Sequence, residues 1–182
     1  MNYNRIGGVE SELPHATITP NLMLVAVQLV NFKKSNMITY VLTVSKKFPT
    51  THKKAGQSTG FPLAIKHYDK IHTIRANYDL WAKRFIKINA GKAILSVRIW
   101  EDKPYKSKQL EIFKYDNTHK IGIEKLEDPT NFIYAPIEGK IINWDLVAKN
   151  DGLSFEDFCE WFKVRSNSPM AIIHFTDFRY CQ

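Results

Sequence analysis

The order of the elements predicts an α+β fold around a small, mostly antiparallel β-barrel with three or four peripheral helices. Three observations carry this. Tyr40 to Val44, within Ile38 to Ser45, is an unbroken run of β-branched, aromatic and aliphatic residues, the signature of a strand buried on both faces. Ala93 to Trp100 is a second strand, with Ile94, Ser96, Arg98 and Trp100 on one face and Leu95, Val97 and Ile99 on the other. Asn77 to Asn89 carries Leu80, Trp81, Phe85 and Ile88 at helical spacing, with Lys83, Arg84 and Lys87 facing outward. The elements also fail to alternate in the βαβα order of a doubly wound sheet.

The remaining elements follow in chain order. Residues 1–36 read as an N-terminal extension, and Gly7-Gly8, Pro14 and Pro20 punctuate its first twenty residues without any apolar period. Lys46 to Gly60 is a long basic loop with Lys46, Lys47, His52, Lys53 and Lys54. Phe61 to Tyr68 is a short helix with Pro62 in its first turn. Ile71 to Arg75 is a strand, and Asn77 caps the helix that follows. Glu101 to Lys108 is a loop that interleaves Lys103, Tyr105, Lys106 and Lys108 around Pro104. Gln109 to Tyr115 and Thr118 to Leu126 are strands joined by an Asp116-Asn117 turn. Residues 127–139 read as irregular, with Pro129 and Pro136. Ile141 to Ala148 is a short helix. Ser154-Phe155-Glu156-Asp157 resembles a capping box and opens a helix to Val164, with Phe155, Phe158, Trp161 and Phe162 on its apolar face. Met170 to Phe178 holds the closing strand. Residues 37–182 thus form the domain.

Composition narrows the class. The chain has 182 residues with 44% hydrophobic and 24% charged, as expected of one soluble domain. No apolar run reaches the ~20 residues that cross a bilayer. Leu22 to Val30 falls well short and contains Gln28. Glu10 and Glu12, with no basic region leading into a long apolar core, speak against a secretory signal. Cys159 and Cys181 read as reduced thiols of a cytoplasmic protein, Cys181 in a frayed C-terminus. No His, Cys and carboxylate spacing suits a metal, and no Gly-rich loop suits a nucleoside triphosphate. Neither a metal nor a cofactor is expected. The net charge is +8, and residues 37–110 alone hold fifteen basic against four acidic groups. Such a segment suits a polyanionic partner, and a solvated lysine face is the competing reading.

Chemistry concentrates in Lys70-Ile71-His72-Thr73-Ile74-Arg75, where four of six side chains are polar. Strand alternation puts Thr73 and Arg75 on one face and His72 on the other. Lys70 joins Thr73 only if it lies in the turn before the strand. Structural readings stand beside the functional one: an ion-paired Arg75, a surface Lys70 and a structural His72.

Lys70-x-x-Thr73-x-Arg75, after a short helix and before a strand-rich half, resembles the Gly-x-Lys-x-x-Glu-x-Arg signature of ASCH domains, a PUA-like β-barrel superfamily associated with RNA and modified nucleosides. Tyr68 stands at the glycine position and Thr73 at the acid position. A branch of small N4-acetylcytidine amidohydrolases also carries Thr there, followed much later by an acid just ahead of a helix. Ala148 to Ser154 matches that segment, with Asp151 where the branch has Glu. Residues 38–178 are covered. Phe48 to Gln109 is also similar to uncharacterised ASCH-like proteins of phages and gut bacteria.

The resemblance implies two activities. The first is an RNA- or nucleotide-binding module in which Lys70 and Arg75 meet phosphates or base edges. Lys53, Lys54, Arg98, Lys103, Tyr105 and Lys106 would line the surrounding basic cleft. The second is an amidohydrolase acting on an acylated nucleoside such as N4-acetylcytidine. There Thr73 is the nucleophile, Lys70 the base and Asp151 its partner. Binding needs only the basic segment and the motif, so it ranks first. The expected partner is RNA, a nucleotide or a modified nucleoside, and no membrane.

Overall fold

The structure, a computed structural model, describes residues 37–131, 133–163 and 167–182. The expectations for residues 1–36, and for the helix end at Val164, lie outside these. Met37–Gln182 forms a unit of its own. The described elements are α+β: eight strands in two sheets and four helices.

The first sheet has the order β1-β3-β4. Its strands are β1 (Ile38–Thr43), β3 (Ala93–Trp100) and β4 (Gln109–Tyr115). β1 runs parallel to β3, from Ile38 opposite Ala93 to Thr43 opposite Arg98. β3 pairs antiparallel with β4, with an irregularity between Val97 and Arg98. The second sheet, order β2-β8-β5-β6-β7, is antiparallel throughout. It contains β2 (His72–Ala76), β5 (Gly122–Leu126), β6 (Ala135–Ile137), β7 (Lys140–Ile142) and β8 (Met170–His174). No closed barrel is formed by the described strands.

Strand β8 explains why two cores exist. All five of its residues are buried. Ala171 and Ile173 face a core shared with Leu42, Leu95, Val97, and with Trp81, Phe85 and Ile88 of α2 (Tyr78–Asn89). Met170 and Ile172 face a second core with Phe61 of α1 (Phe61–Lys66). Trp144 and Val147 of α3 (Trp144–Asn150) and Phe158 of α4 (Phe155–Trp161) complete that second core. A strand buried on both faces needs apolar residues at every position rather than an alternation. The run Ala171-Ile172-Ile173 meets that need.

The helix caps are local. Asn77 accepts from Leu80 N at 3.0 Å, Asn143 from Asp145 N at 2.7 Å, and Ser154 from Asp157 N at 3.2 Å. The reciprocal half of the capping box is absent, because the Asp157 carboxylate turns to Lys54 instead, 2.5 Å away.

Four features differ from the sequence reading. β1 is an edge strand rather than a buried one, with Ile38 and Val41 exposed. β4 and β5 do not pair: the Asp116 turn, in which the carboxylate accepts from Thr118 N at 2.9 Å, carries the chain from one sheet to the other. Residues 135–142 form a hairpin, not an irregular stretch running into a helix. Its turn residues Glu138 (φ 46°) and Gly139 (φ 76°) are both left-handed, as a tight two-residue hairpin turn requires. The C-terminus is not frayed, since Tyr180 N and Cys181 N both donate to the Glu124 carboxylate at 2.9 Å.

Among the described residues, no helix is long and apolar enough to cross a membrane. None of their His, Cys, Asp and Glu side chains form a group that could hold a metal ion.

Candidate functional site

Lys70 lies before β2, in the turn that ends α1, where its N–H donates to Ala64 O at 3.1 Å. Tyr68 makes that turn with φ 62°. Ile71 N donates to Asn150 O at 2.9 Å, and Phe175 N to Ile71 O at 2.8 Å. These bonds fasten the start of β2 between the end of α3 and the end of β8. The Asp151-Gly152 turn is thereby brought against Lys70.

The Lys70 ammonium is buried and donates to Asp151 O at 2.6 Å and Asp151 Oδ1 at 2.8 Å. It also sits 4.2 Å from the centre of the Phe61 ring, within cation–π range. Burial pushes the Lys70 pKa down to about 8, although Asp151 pulls it the other way and Arg75 adds to the fall. Burial alone would raise the Asp151 pKa. The Lys70 cation and the His72 ring outweigh it and hold the carboxyl below its usual value.

Thr73 and Arg75 share one face of β2, as alternation requires. Arg75 NH1 donates to Thr73 Oγ1 at 2.8 Å and to Ile74 O at 2.7 Å. Its NH2 donates to Thr43 O at 2.6 Å, tying β2 to the end of β1. A guanidinium has five N–H groups. Nε–H and one NH2 proton of Arg75 therefore have no hydrogen-bond acceptor among the described residues. The Thr73 hydroxyl accepts from Arg75, and its own proton likewise has no acceptor there.

Thr73, Arg75 and Asp151 open onto a cavity of about 370 Å³. Five aromatic side chains also line it: Phe61, Trp100, Tyr105, Trp161 and Phe162. Lys70 is not in its wall but supports Asp151 from behind. Val44, Ser45, Trp100 and Pro104 also line a neighbouring groove of about 520 Å³, which runs past Lys46, Lys47, Glu101 and Asp102. Tyr105 is 90% exposed and left-handed at φ 62°, with its ring centre 5.4 Å from that of Trp100.

The other candidates fall elsewhere. Lys54 and Lys53 reach Asp157 Oδ2 at 2.5 Å and Oδ1 at 3.8 Å, pinning the 46–60 loop to the first turn of α4. His52 adds a contact from Nε2 to Asp157 O at 3.2 Å. Arg98 Nε donates to Ser96 Oγ at 2.8 Å, and Ser96 Oγ donates to Glu111 Oε2 at 2.5 Å, inside the first sheet. Lys103 and Lys106 are exposed on the loop that brings Tyr105 to the cavity.

Sequence reasoning missed the aromatic walls, since Trp100, Trp161 and Phe162 look like core residues when read by periodicity. It also missed a buried polar group behind the site. His174 Nε2 lies 2.7 Å from Glu124 Oε2. The His72 and His174 rings meet edge-on, their centres 5.5 Å apart. Burial lowers the pKa of both, that of His174 to about 4 despite Glu124.

No family model matches the chain, nor does any curated protein or solved structure.

Proposed function

We propose that the cavity binds a nucleobase-bearing ligand, a nucleotide or an RNA segment, in a domain of the PUA-like ASCH type. The observation that carries this is the composition of the wall. Five aromatic side chains share its lining with the polar side chains of Thr73, Arg75 and Asp151. A base offers a flat π-face to aromatic side chains and a hydrogen-bonding edge to polar ones. The carboxylate accepts from an exocyclic amine, while the spare Arg75 N–H groups donate to ring nitrogen or carbonyl. Cytosine presents that combination of donor and acceptors. The adjoining groove leaves room for a phosphate-bearing continuation toward Lys46 and Lys47.

Tyr68 supports the family reading. It occupies the position of the signature glycine, and its φ of 62° is the left-handed conformation that glycine adopts without strain. The PUA-like barrel belongs to this same proposal.

Tryptophan fluorescence tests the binding, because Trp100 and Trp161 stand in the wall. Titration with the four nucleoside monophosphates and with short single-stranded RNA is expected to give saturable quenching. For RNA, the affinity is expected to fall as salt rises. No quenching by either ligand class would overturn the reading.

The second reading is amide hydrolysis, and the Lys70–Asp151 pair favours it. Thr73 attacks the acyl carbon of an N4-acylated cytidine, and its proton passes by way of Asp151, which lines the same cavity, to a neutral Lys70 behind it. The tetrahedral oxyanion is stabilised by Arg75. The amine leaves with a proton, and water then releases the acid from Thr73. A Lys70 pKa of about 8 leaves a usable neutral fraction near neutral pH. Release of cytidine and acetate from N4-acetylcytidine, abolished by Thr73→Ala, is the expected result. An untouched substrate removes this reading and leaves the first.

A further inference from the structure

Tyr180, near the C-terminus, is half-buried and carries a hydroxyl that reaches the back of the site. Its oxygen lies 3.0 Å from Asn150 Nδ2 and 2.8 Å from His72 Nε2. An amide NH₂ only donates, so the Tyr180 oxygen accepts from Asn150 and its single proton is free to go to His72, the other polar atom within reach. His72 Nε2 is then an acceptor, and the ring proton resides on Nδ1. That nitrogen lies 3.5 Å from Asp151 Oδ1. This is longer than a full hydrogen bond, but it is a favourable contact between an N–H dipole and a buried carboxylate.

The opposite direction fails electrostatically. In that direction Tyr180 would accept from His72 Nε2–H, either as a second acceptance beside Asn150 or with the Asn150 amide turned over. A bare Nδ1 lone pair would then face Asp151 in a dry interior. A doubly protonated ring is opposed by burial, which pushes the His72 pKa down. The tail itself is held by Glu124, whose carboxylate takes the N–H groups of both Tyr180 and Cys181.

We infer that Tyr180 is a positioning residue: it fixes His72 in its Nδ1–H tautomer, and His72 in turn holds Asp151 against Lys70. The C-terminal segment thereby sets the orientation of the cavity's carboxylate. The arrangement of protons stands on these distances and on burial, and needs no ligand. Its consequence for a ligand rests on the proposed binding of a nucleotide.

Nitrogen-15 NMR of the full chain reads the tautomer directly. Near neutral pH, His72 is expected to show a protonated Nδ1 and a bare Nε2. In Tyr180→Phe the Nδ1–H preference is expected to be lost while the His174 pattern persists. Lys70, followed by NMR titration of its side chain, is then expected to lose its proton below the native value of about 8, because a loosened Asp151 supports the cation less. Asn150→Ala removes the amide donor that helps set the direction and is expected to weaken the Nδ1–H preference. It serves if Tyr180→Phe does not fold. An Nε2–H tautomer in the native protein, or an unchanged Lys70 titration in the folded variant, would overturn the inference. Affinity for cytidine monophosphate is measured separately and is expected to fall about tenfold in Tyr180→Phe. If the native protein does not bind this nucleotide while the tautomer and titration behave as expected, the positioning role stands and the ligand reading falls.

Discussion

Lys70 Nζ lies 2.8 Å from Asp151 Oδ1 and 2.6 Å from the Asp151 carbonyl, across a separation of 81 residues. Both side chains are almost fully buried. Such a pair is costly to desolvate, and it persists because each charge is the principal support of the other. The aromatic cavity opens on one side of it and the Tyr180–His72 pair closes the other.

Removing one partner is expected to be far worse than removing both. Asp151→Ala strands a buried cation and is expected to cost about 3–5 kcal/mol. Lys70→Met combined with Asp151→Leu is expected to be much closer to native stability while ligand binding is lost. Urea unfolding of the three proteins measures this. Equal costs for the single and double variants would contradict it.

Gly152 is required by its conformation and by its neighbour. Its φ is +74°, and a Cβ there would lie 2.9 Å from Lys70 Cβ. Gly152→Ala is expected to destabilise by about 1–2 kcal/mol from backbone strain alone. The displaced Lys70 should further weaken binding. A variant of native stability and affinity would show that the Lys70 stem does not hold this position.

Acidification is expected to destabilise the fold in a defined window. His174 has its pKa lowered from 6.5 to about 4 in the folded protein. Between those values the unfolded chain binds more protons, so stability falls with falling pH, by at most about 3 kcal/mol for this one group. The depressed carboxyl of Asp151 adds a loss of the same sign as pH falls through the carboxylate range. Lys70, lowered from 10.5 to about 8, makes stability rise with pH between those two values. Denaturation across this pH range tests all three signs, and His174→Gln is expected to flatten the first window.

Tyr105→Ala separates binding from folding. The side chain is 90% exposed, so stability is expected to stay within about 0.5 kcal/mol of native. Loss of one stacked ring is expected to cost about 1–3 kcal/mol of ligand affinity. Calorimetry and thermal unfolding of the same variant decide between the two effects.

Local signals in the sequence carried much of the fold. The Asn77 and Ser154 caps, the strand character of β1 and β3, and the stripe of α2 are all set by neighbours within a few residues, whereas the burial expected of β1 fails because it is an edge strand. The separation of Thr73 from His72 followed from strand alternation. Strand partners were not legible, because pairing is chosen by contacts far apart in the chain. β4 and β5 therefore read as one hairpin, and β1 gave no sign of its parallel alignment with β3. Pro136 concealed the β6–β7 hairpin. Lys54 illustrates the same limit at a side chain: in a basic loop it reads as part of a cleft for an anionic ligand, whereas folding brings Asp157 to it from 103 residues away. Tyr180 reads as an ordinary tail residue until Glu124 and His72 surround it.

The central claim is that the cavity floored by Thr73, Arg75 and Asp151 takes a nucleobase. Backbone NMR of the full chain during titration with cytidine monophosphate tests it most directly. Saturable shifts concentrated at Thr73, Arg75, Trp100, Tyr105 and Asp151 are the expected result. Shifts confined to other surfaces, or none at all, would contradict it.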